Sequence, residues 1–307
     1  MKTYIYGGGD MKDSNKNNND VYKFNMHEQH WQLGENYIDD GVFPVNIIIP
    51  PKVKKEECRR SKKPNREYNL RSYQPDSSEN YNPKDNLFKM SSFSYQLNRH
   101  LFRCDNFEYL SVSRHNKIFV LGCSYTMGIG LPEHLCWPFL ITKKLAKIYN
   151  VENEWQIVNL AVTGAGYSEI DMYLNYIDKF PNVKYLFVHM PPLYRNTYLI
   201  NKNRLLHNFH TTTDHKTLVS EQAQNCHKNF LDKLKNAPLQ FQFEESKVLQ
   251  KIRLIGRILN IPTIITSVDN TKIQFNTLAR DLAHPGPDYH NKLADVYIHE
   301  LLNNAKK

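Results

Sequence analysis

"KIFVLGCSYTMGIGLPEHLCWPFL", residues 117–140, decides the fold. A short apolar run ends in Gly-Cys-Ser, crosses a Gly-punctuated loop and enters an amphipathic run after Pro132. A few apolar residues closed by glycine read as a buried strand, "KIFVLG" at 117–122. The stretch "PEHLCWPFLITKKLAKIYN" at 132–150 has helical spacing, and Pro138 should kink that helix or delay its start. Ser124 thus falls where a buried strand gives way to a helix. In parallel α/β sheets, ligands sit beyond the carboxyl ends of the strands, so Ser124 is the first candidate functional residue.

The pattern then repeats. "WQIVNLA" (155–161), "VKYLFVHM" (183–190) and "IPTIITS" (261–267) read as further strands. "YSEIDMYLNYIDKF" (167–180), "EESKVLQKIRLIGRILN" (244–260) and "PDYHNKLADVYIHELLNNA" (287–305) read as helices. Strands alternating with helices predict a parallel sheet of about five strands, covered on both faces in a three-layer α/β/α sandwich with right-handed crossovers. This domain takes in residues 116–307, with an irregular, His-rich insertion at about 191–242.

Residues 1–115 read differently, as a polar, basic, irregular N-terminal arm. "GGGDMKDSNKNNND" resists regular structure, and residues 52–95 are basic and rich in Pro, Ser and Asn, too poor in apolar positions to fold alone. "VFPVNIIIPP" (42–51) is the one good strand candidate, and its prolines leave it at an edge or extended against another surface. The arm is expected to order only against the α/β domain or a protein assembly partner, with this segment as the point of attachment.

Composition narrows the classes. The 307 residues carry 40 Lys and Arg against 31 Asp and Glu, a net charge of +9, and 40% are hydrophobic. A mean hydropathy of -0.62 implies that much of the chain is poorly buried. Much of the basicity lies in "PKVKKEECRRSKKPNREYNLR" (51–71), and such runs are more often solvated linkers than nucleic-acid contacts. Five cysteines without a Cys-x-x-Cys pair argue against a disulfide framework or zinc ribbon and fit a reducing compartment. Residues 1–30 show no secretory signal, and no apolar run approaches the roughly 20 residues of a membrane span. A cytoplasmic product is expected, with association with a virion or other particle left open.

The chemistry is carried by three separated stretches. "ARDLAHPGPDYHNKLAD" (279–295) places Asp281 and His284 three apart, just before the last helix. From one loop, a carboxylate can orient an imidazole that takes the proton of the Ser124 hydroxyl. "VNLAVTGAGYSE" (158–169) follows the second strand with Asn159, Gly164 and Gly166 in a small-residue turn. Backbone N–H groups there, with that of Ser124, could bind a developing oxyanion, although an ordinary strand-to-helix turn would look the same.

Together these stretches resemble the SGNH/GDSL hydrolase family over residues 117–300. "GCSYTMGIG" is similar to the family's Gly-Asp-Ser block, "NLAVTGAG" to its second block and "DLAHPG" to its closing Asp-x-x-His. The resemblance implies a flavodoxin-like sandwich and a serine esterase with Ser124, Asp281 and His284 as catalytic residues. It also implies an oxyanion site at the amides of Ser124 and Gly164, and no metal or other cofactor. The implied substrate is an ester, with a short acyl or O-acetyl group on a carbohydrate or similar small polar molecule.

Two departures stand out. Cys123 replaces the aspartate that usually precedes the serine; as a strand-end residue it is expected to point into the core rather than act as nucleophile. The family's Gly-x-Asn-Asp block, whose asparagine donates to the oxyanion, is replaced by "HMPPLYRNTY" (189–198), leaving Asn196 or Arg195 as substitute donors. This variant form resembles divergent SGNH proteins met in phage and environmental sequences. The competing reading is a non-catalytic structural or interaction protein, possibly a particle component, built on the same scaffold and docked by its arm. An α/β-hydrolase is disfavoured, because "GCSYTMG" lacks the Gly-x-Ser-x-Gly elbow. His207, His210, His215 and His227 with Cys226 lack paired zinc-ligand spacing, and the insertion that carries them reads as a lid or specificity loop. His290 and His299 read as surface or packing residues of the last helix.

Overall fold

The computed structural model describes residues 22–25, 30–33, 66–68, 95–98, 102–151, 155–193, 195–200, 205–210, 221–269, 273–279 and 284–304. The segment 42–51, expected to attach the arm, lies outside them. In the arm, β1 (Tyr22–Asn25) pairs antiparallel with β2 (His30–Leu33), and β3 (Arg66–Tyr68) with β4 (Tyr95–Leu97). A short helix α1 (Phe107–Val112) leads into β5 (Asn116–Leu121). There follow α2 (Ser124–Met127), α3 (Trp137–Tyr149), β6 (Trp155–Asn159), α4 (Tyr167–Leu174) and β7 (Val183–Met190). The hairpin β8 (Arg195–Ile200) and β9 (Leu205–His210) precedes α5 (Glu221–Asn236), α6 (Pro238–Ile258), β10 (Thr263–Ser267) and α7 (Pro287–Asn304).

The central sheet is parallel, in the order β10-β7-β5-β6. Among the described residues it has four strands, where the sequence suggested about five. β5 is buried on both faces, and its two-residue period sends alternate side chains to opposite layers. Phe119 and Leu121 join a core with Phe107 of α1, Ile170 of α4 and Ile252 of α6. Ile118 and Val120 face Trp137 and Ile141 of α3 and Leu293 and Tyr297 of α7. This is the three-layer sandwich. Pro138 sits in the first turn of α3, where its missing N–H costs nothing, so the helix is delayed rather than kinked.

The core reaches back upstream of residue 116. Phe102 meets Tyr173 edge-on at 5.3 Å and Phe107 meets Phe180 at 5.6 Å. The insertion is more regular than its composition suggested. β9 pairs with β8 and with β2, so the arm and the insertion share one antiparallel sheet. In α5 only His227 and Phe230 are buried among the described side chains, a stripe too thin to announce a helix. It is held to α6 by the Phe230–Phe241 ring contact at 5.8 Å and the Lys233–Glu244 ion pair at 2.6 Å.

At the amino end of β5, Lys117 is fully buried and its Nζ donates to the carbonyls of Ser113 (2.7 Å), His115 (3.1 Å) and Pro181 (3.0 Å). Burial pulls the ammonium down to about 8, which still leaves it largely protonated at pH 7. Lys117→Met would strip three carbonyls of a charged donor and is expected to cost on the order of 3 kcal/mol. A urea midpoint that drops at constant m-value checks this, and an unchanged midpoint refutes it.

Candidate active site

The parallel strands reverse their order of addition at β5, which has β6 on one side and β7 on the other. Open α/β sheets form their ligand crevice at such a switch point. Ser124 lies there, opening α2, with its residue 3% exposed. Cys123 before it is extended and fully buried in the core with Phe119 and Leu121, so its thiol faces away from a crevice nucleophile's position. Glycine is required at 122, because a Cβ there would overlap Thr126 Oγ1 and press on the His189 carbonyl of β7 at 3.1 Å. The Ser124 carbonyl accepts from Gly128 N–H at 2.9 Å and Ile129 N–H at 3.2 Å, which closes α2 after one turn.

The turn after β6 lies alongside. Val162 N–H donates to the Gly122 carbonyl (3.2 Å), and Thr163 Oγ1 donates to Met127 Sδ (3.4 Å). Gly164 has φ 78°, a left-handed backbone that suits glycine. Asn159 Oδ1 accepts from Ala161 N–H at 3.0 Å, and Gly166 N–H donates to Glu169, which starts α4.

His284 arrives from the other end of the chain. Ala279 N–H donates to its carbonyl at 2.8 Å and Gly286 N–H to Thr277 at 2.8 Å, fixing the two sides of the loop before α7. Its ring meets Tyr125, the residue after Ser124, edge-on at 5.7 Å. The structure therefore brings Ser124, the Gly164 turn and His284 to one end of the sheet. Asp281 lies outside the described residues. Arg195 opens β8 just beyond the carboxyl end of β7, half-buried, with Nε and Nη1 buried and lacking a hydrogen-bond partner. Asn196 follows it on the same strand.

A buried polar chain under the site was not visible in the sequence. Tyr297 Oη meets Thr266 Oγ1 at 2.6 Å, Thr266 Oγ1 meets His189 Nδ1 at 2.7 Å, and His189 Nε2 meets Tyr289 Oη at 3.0 Å. Tyr289 in turn packs edge-on against Tyr125 at 5.9 Å. Burial pushes the His189 imidazole down to about 3, so it stays neutral. His290 is also buried and its Nδ1 accepts from Trp137 N–H at 3.1 Å, capping α3. Burial first, then the neighbouring Arg103 charge, pushes it down to about 3. Only a period-two reading of "VHM" as strand was available for His189, and that reading treats it as one more strand residue.

Among the described residues no group of three His, Cys, Asp or Glu is arranged to hold a metal ion, and no helix is long and apolar enough to cross a membrane. His207 and His210 lie on β9 and His227 stacks on Phe230, while His215 lies outside the described residues.

These elements define an α/β three-layer domain with a serine at its switch point and a histidine loop beside it. No family model and no curated protein matches the sequence. Solved structures do. A TesA crystal structure aligns at 15% identity over 59% of this chain and 94% of its own, with a TM-score of 0.34. The psychrotrophic esterase EstA from Pseudoalteromonas sp. aligns at 13% identity over 61% and 99%, TM-score 0.30. An acetyl xylan esterase from Geobacillus stearothermophilus aligns at 13% identity over 62% and 96%, TM-score 0.31.

Proposed function

We propose that the chain is a serine hydrolase of SGNH/GDSL type that cleaves a short acyl or O-acetyl ester on a carbohydrate or similar polar molecule. The observation that carries this reading is the meeting of Ser124, at the switch point of the sheet, with the His284 loop through the Tyr125 ring. The acyl preference follows the resemblance of the three sequence blocks.

In this mechanism His284 takes the Ser124 proton as the hydroxyl oxygen attacks the ester carbonyl. Asp281 orients the imidazole and stabilises its charged form. The amides of Ser124 and Gly164 hold the oxyanion of the tetrahedral intermediate. Collapse expels the alcohol, which takes the proton from His284 and leaves an acyl-serine. Water, deprotonated by His284, attacks that ester, and carboxylate and free Ser124 are released. Pro191 and Pro192 follow β7 where the family's side-chain donor is expected, and prolines have no N–H to offer. Arg195, with its unpartnered Nε and Nη1, is the proposed substitute.

The same proline pair favours the second reading, a scaffold without turnover. A fluorophosphonate probe separates the two. Covalent labelling of Ser124, located by peptide mass and accompanied by p-nitrophenyl acetate hydrolysis, is the expected result. An unlabelled Ser124 in a folded chain would leave the scaffold.

A further inference from the structure

The segment just upstream of the sandwich reaches the loop that carries Ser124. Arg103 is 1% exposed, a depth at which arginine is rarely found without dedicated partners. Its Nη1 donates to the carbonyls of Met127 (2.9 Å) and Gly128 (2.7 Å), its Nη2 to that of Leu131 (2.7 Å), and Nη1 also lies 3.5 Å from Cys136 Sγ. The guanidinium carbon stands 4.9 Å from the centre of the Tyr95 ring. Tyr95, itself fully buried, accepts from Gly130 N–H at 2.6 Å through its hydroxyl. Two side chains separated from the loop by more than a score of residues thus grip its backbone on both sides of Gly130.

The loop has reason to need this. α2 is a single turn, so its last carbonyls have no helical partner of their own. Gly128 and Gly130 both have φ 74°, and a backbone with two left-handed glycines in three residues has many other conformations open to it. A planar fork fixes the directions of its donors and so holds the carbonyls it gathers in one arrangement, whereas the three donors of an ammonium turn on a flexible stem. The Tyr95 ring covers one face of the guanidinium.

We infer that Arg103 and Tyr95 are positioning residues: they lock the 124–131 loop and so hold the Ser124 hydroxyl and amide in the geometry that acyl transfer needs. This rests on the proposed role of Ser124, and it assigns to the segment before residue 116 a part in building the site. A displacement of about 1 Å at a nucleophile can cost on the order of 10²-fold in rate.

The test uses the full chain and two variants. Tyr95→Phe removes only the hydroxyl that meets Gly130, and Arg103→Lys keeps the charge but loses the fork. Each is expected to lower kcat for p-nitrophenyl acetate, and the rate of fluorophosphonate labelling, by about tenfold or more with KM little changed. Amide hydrogen exchange across 124–131 should speed up in both, while Tyr95→Phe, which leaves one buried N–H without its acceptor, still unfolds cooperatively at a moderately lower melting temperature. Wild-type kcat and wild-type exchange in Tyr95→Phe overturn the inference, even if Arg103→Lys fails to fold. If wild type itself neither turns over nor labels, the reading of Ser124 as nucleophile fails. Exchange in the loop then still decides whether the clamp exists.

Discussion

Ser124→Ala is expected to lower ester turnover by a factor of about 10⁴ or more while leaving the fold intact, the largest effect any single substitution should have here. The loss is chemical, because no other hydroxyl is assigned to the crevice and the acyl-serine cannot form. The fold should hold because Ser124 opens α2 with its backbone: its carbonyl closes the turn with Gly128 and Ile129, and Cys123, not Ser124, occupies the capping position. Alanine is also the better helix former. His284→Ala should cost a similar factor, and the double variant should be no slower than the worse single one, since the two groups act as a unit. Stopped assays with p-nitrophenyl acetate at matched protein concentration measure all three. A Ser124→Ala protein that hydrolyses at the wild-type rate would remove Ser124 from the chemistry, whatever its place in the fold.

The parts of this molecule that could be read from the sequence are those whose cause is local. β5, β7 and α7 announced themselves through apolar period and a glycine or proline at one boundary, and their observed bounds, Asn116–Leu121, Val183–Met190 and Pro287–Asn304, lie close to those expected. The positions of Ser124, the Gly164 turn and His284 at strand ends or a helix start were legible for the same reason, while their roles belong to the proposed function. What escaped depends on distance along the chain. Arg103 and Tyr95 act on backbone carbonyls and an N–H some tens of residues away, and such partners leave no residue pattern to find. His189 looked like one more strand residue until Thr266 and Tyr289 appeared on either side of its ring. The hairpin β8–β9 and helix α5 were read as irregular because histidines and other polar residues interrupt the apolar period of residues 191–242.

Those two buried histidines set the response to acid. In the folded chain the imidazoles of His189 and His290 are pushed down to about 3, whereas in the unfolded chain each titrates near its ordinary 6.5. Between these values the unfolded chain binds more protons, so stability rises with pH across the window and is lost as pH falls from 6.5 towards 3. One fully developed pH unit is worth about 1.4 kcal/mol for each group, so by pH 4.5 the pair should have removed about 5 kcal/mol. That is a large share of the 5–15 kcal/mol by which domains are usually stable, roughly speaking. Glu133 and Glu245 work the other way: burial lifts both carboxyls above their ordinary value, so protonating them in acid favours the folded chain. A variant comparison isolates the histidine contribution. His189→Gln keeps a polar group between Thr266 and Tyr289 but cannot titrate. It should lose stability at pH 7 yet show about half the wild-type slope of unfolding free energy against pH between 4.5 and 6, measured by urea denaturation at each pH. Protonating His290 breaks the one bond its Nδ1 makes, to Trp137 N–H, so acid should also loosen the start of α3 before global unfolding. A His189→Gln slope equal to that of wild type would mean that the ring is reached by water in the folded chain, and that the polar chain beneath Tyr125 is open rather than sealed.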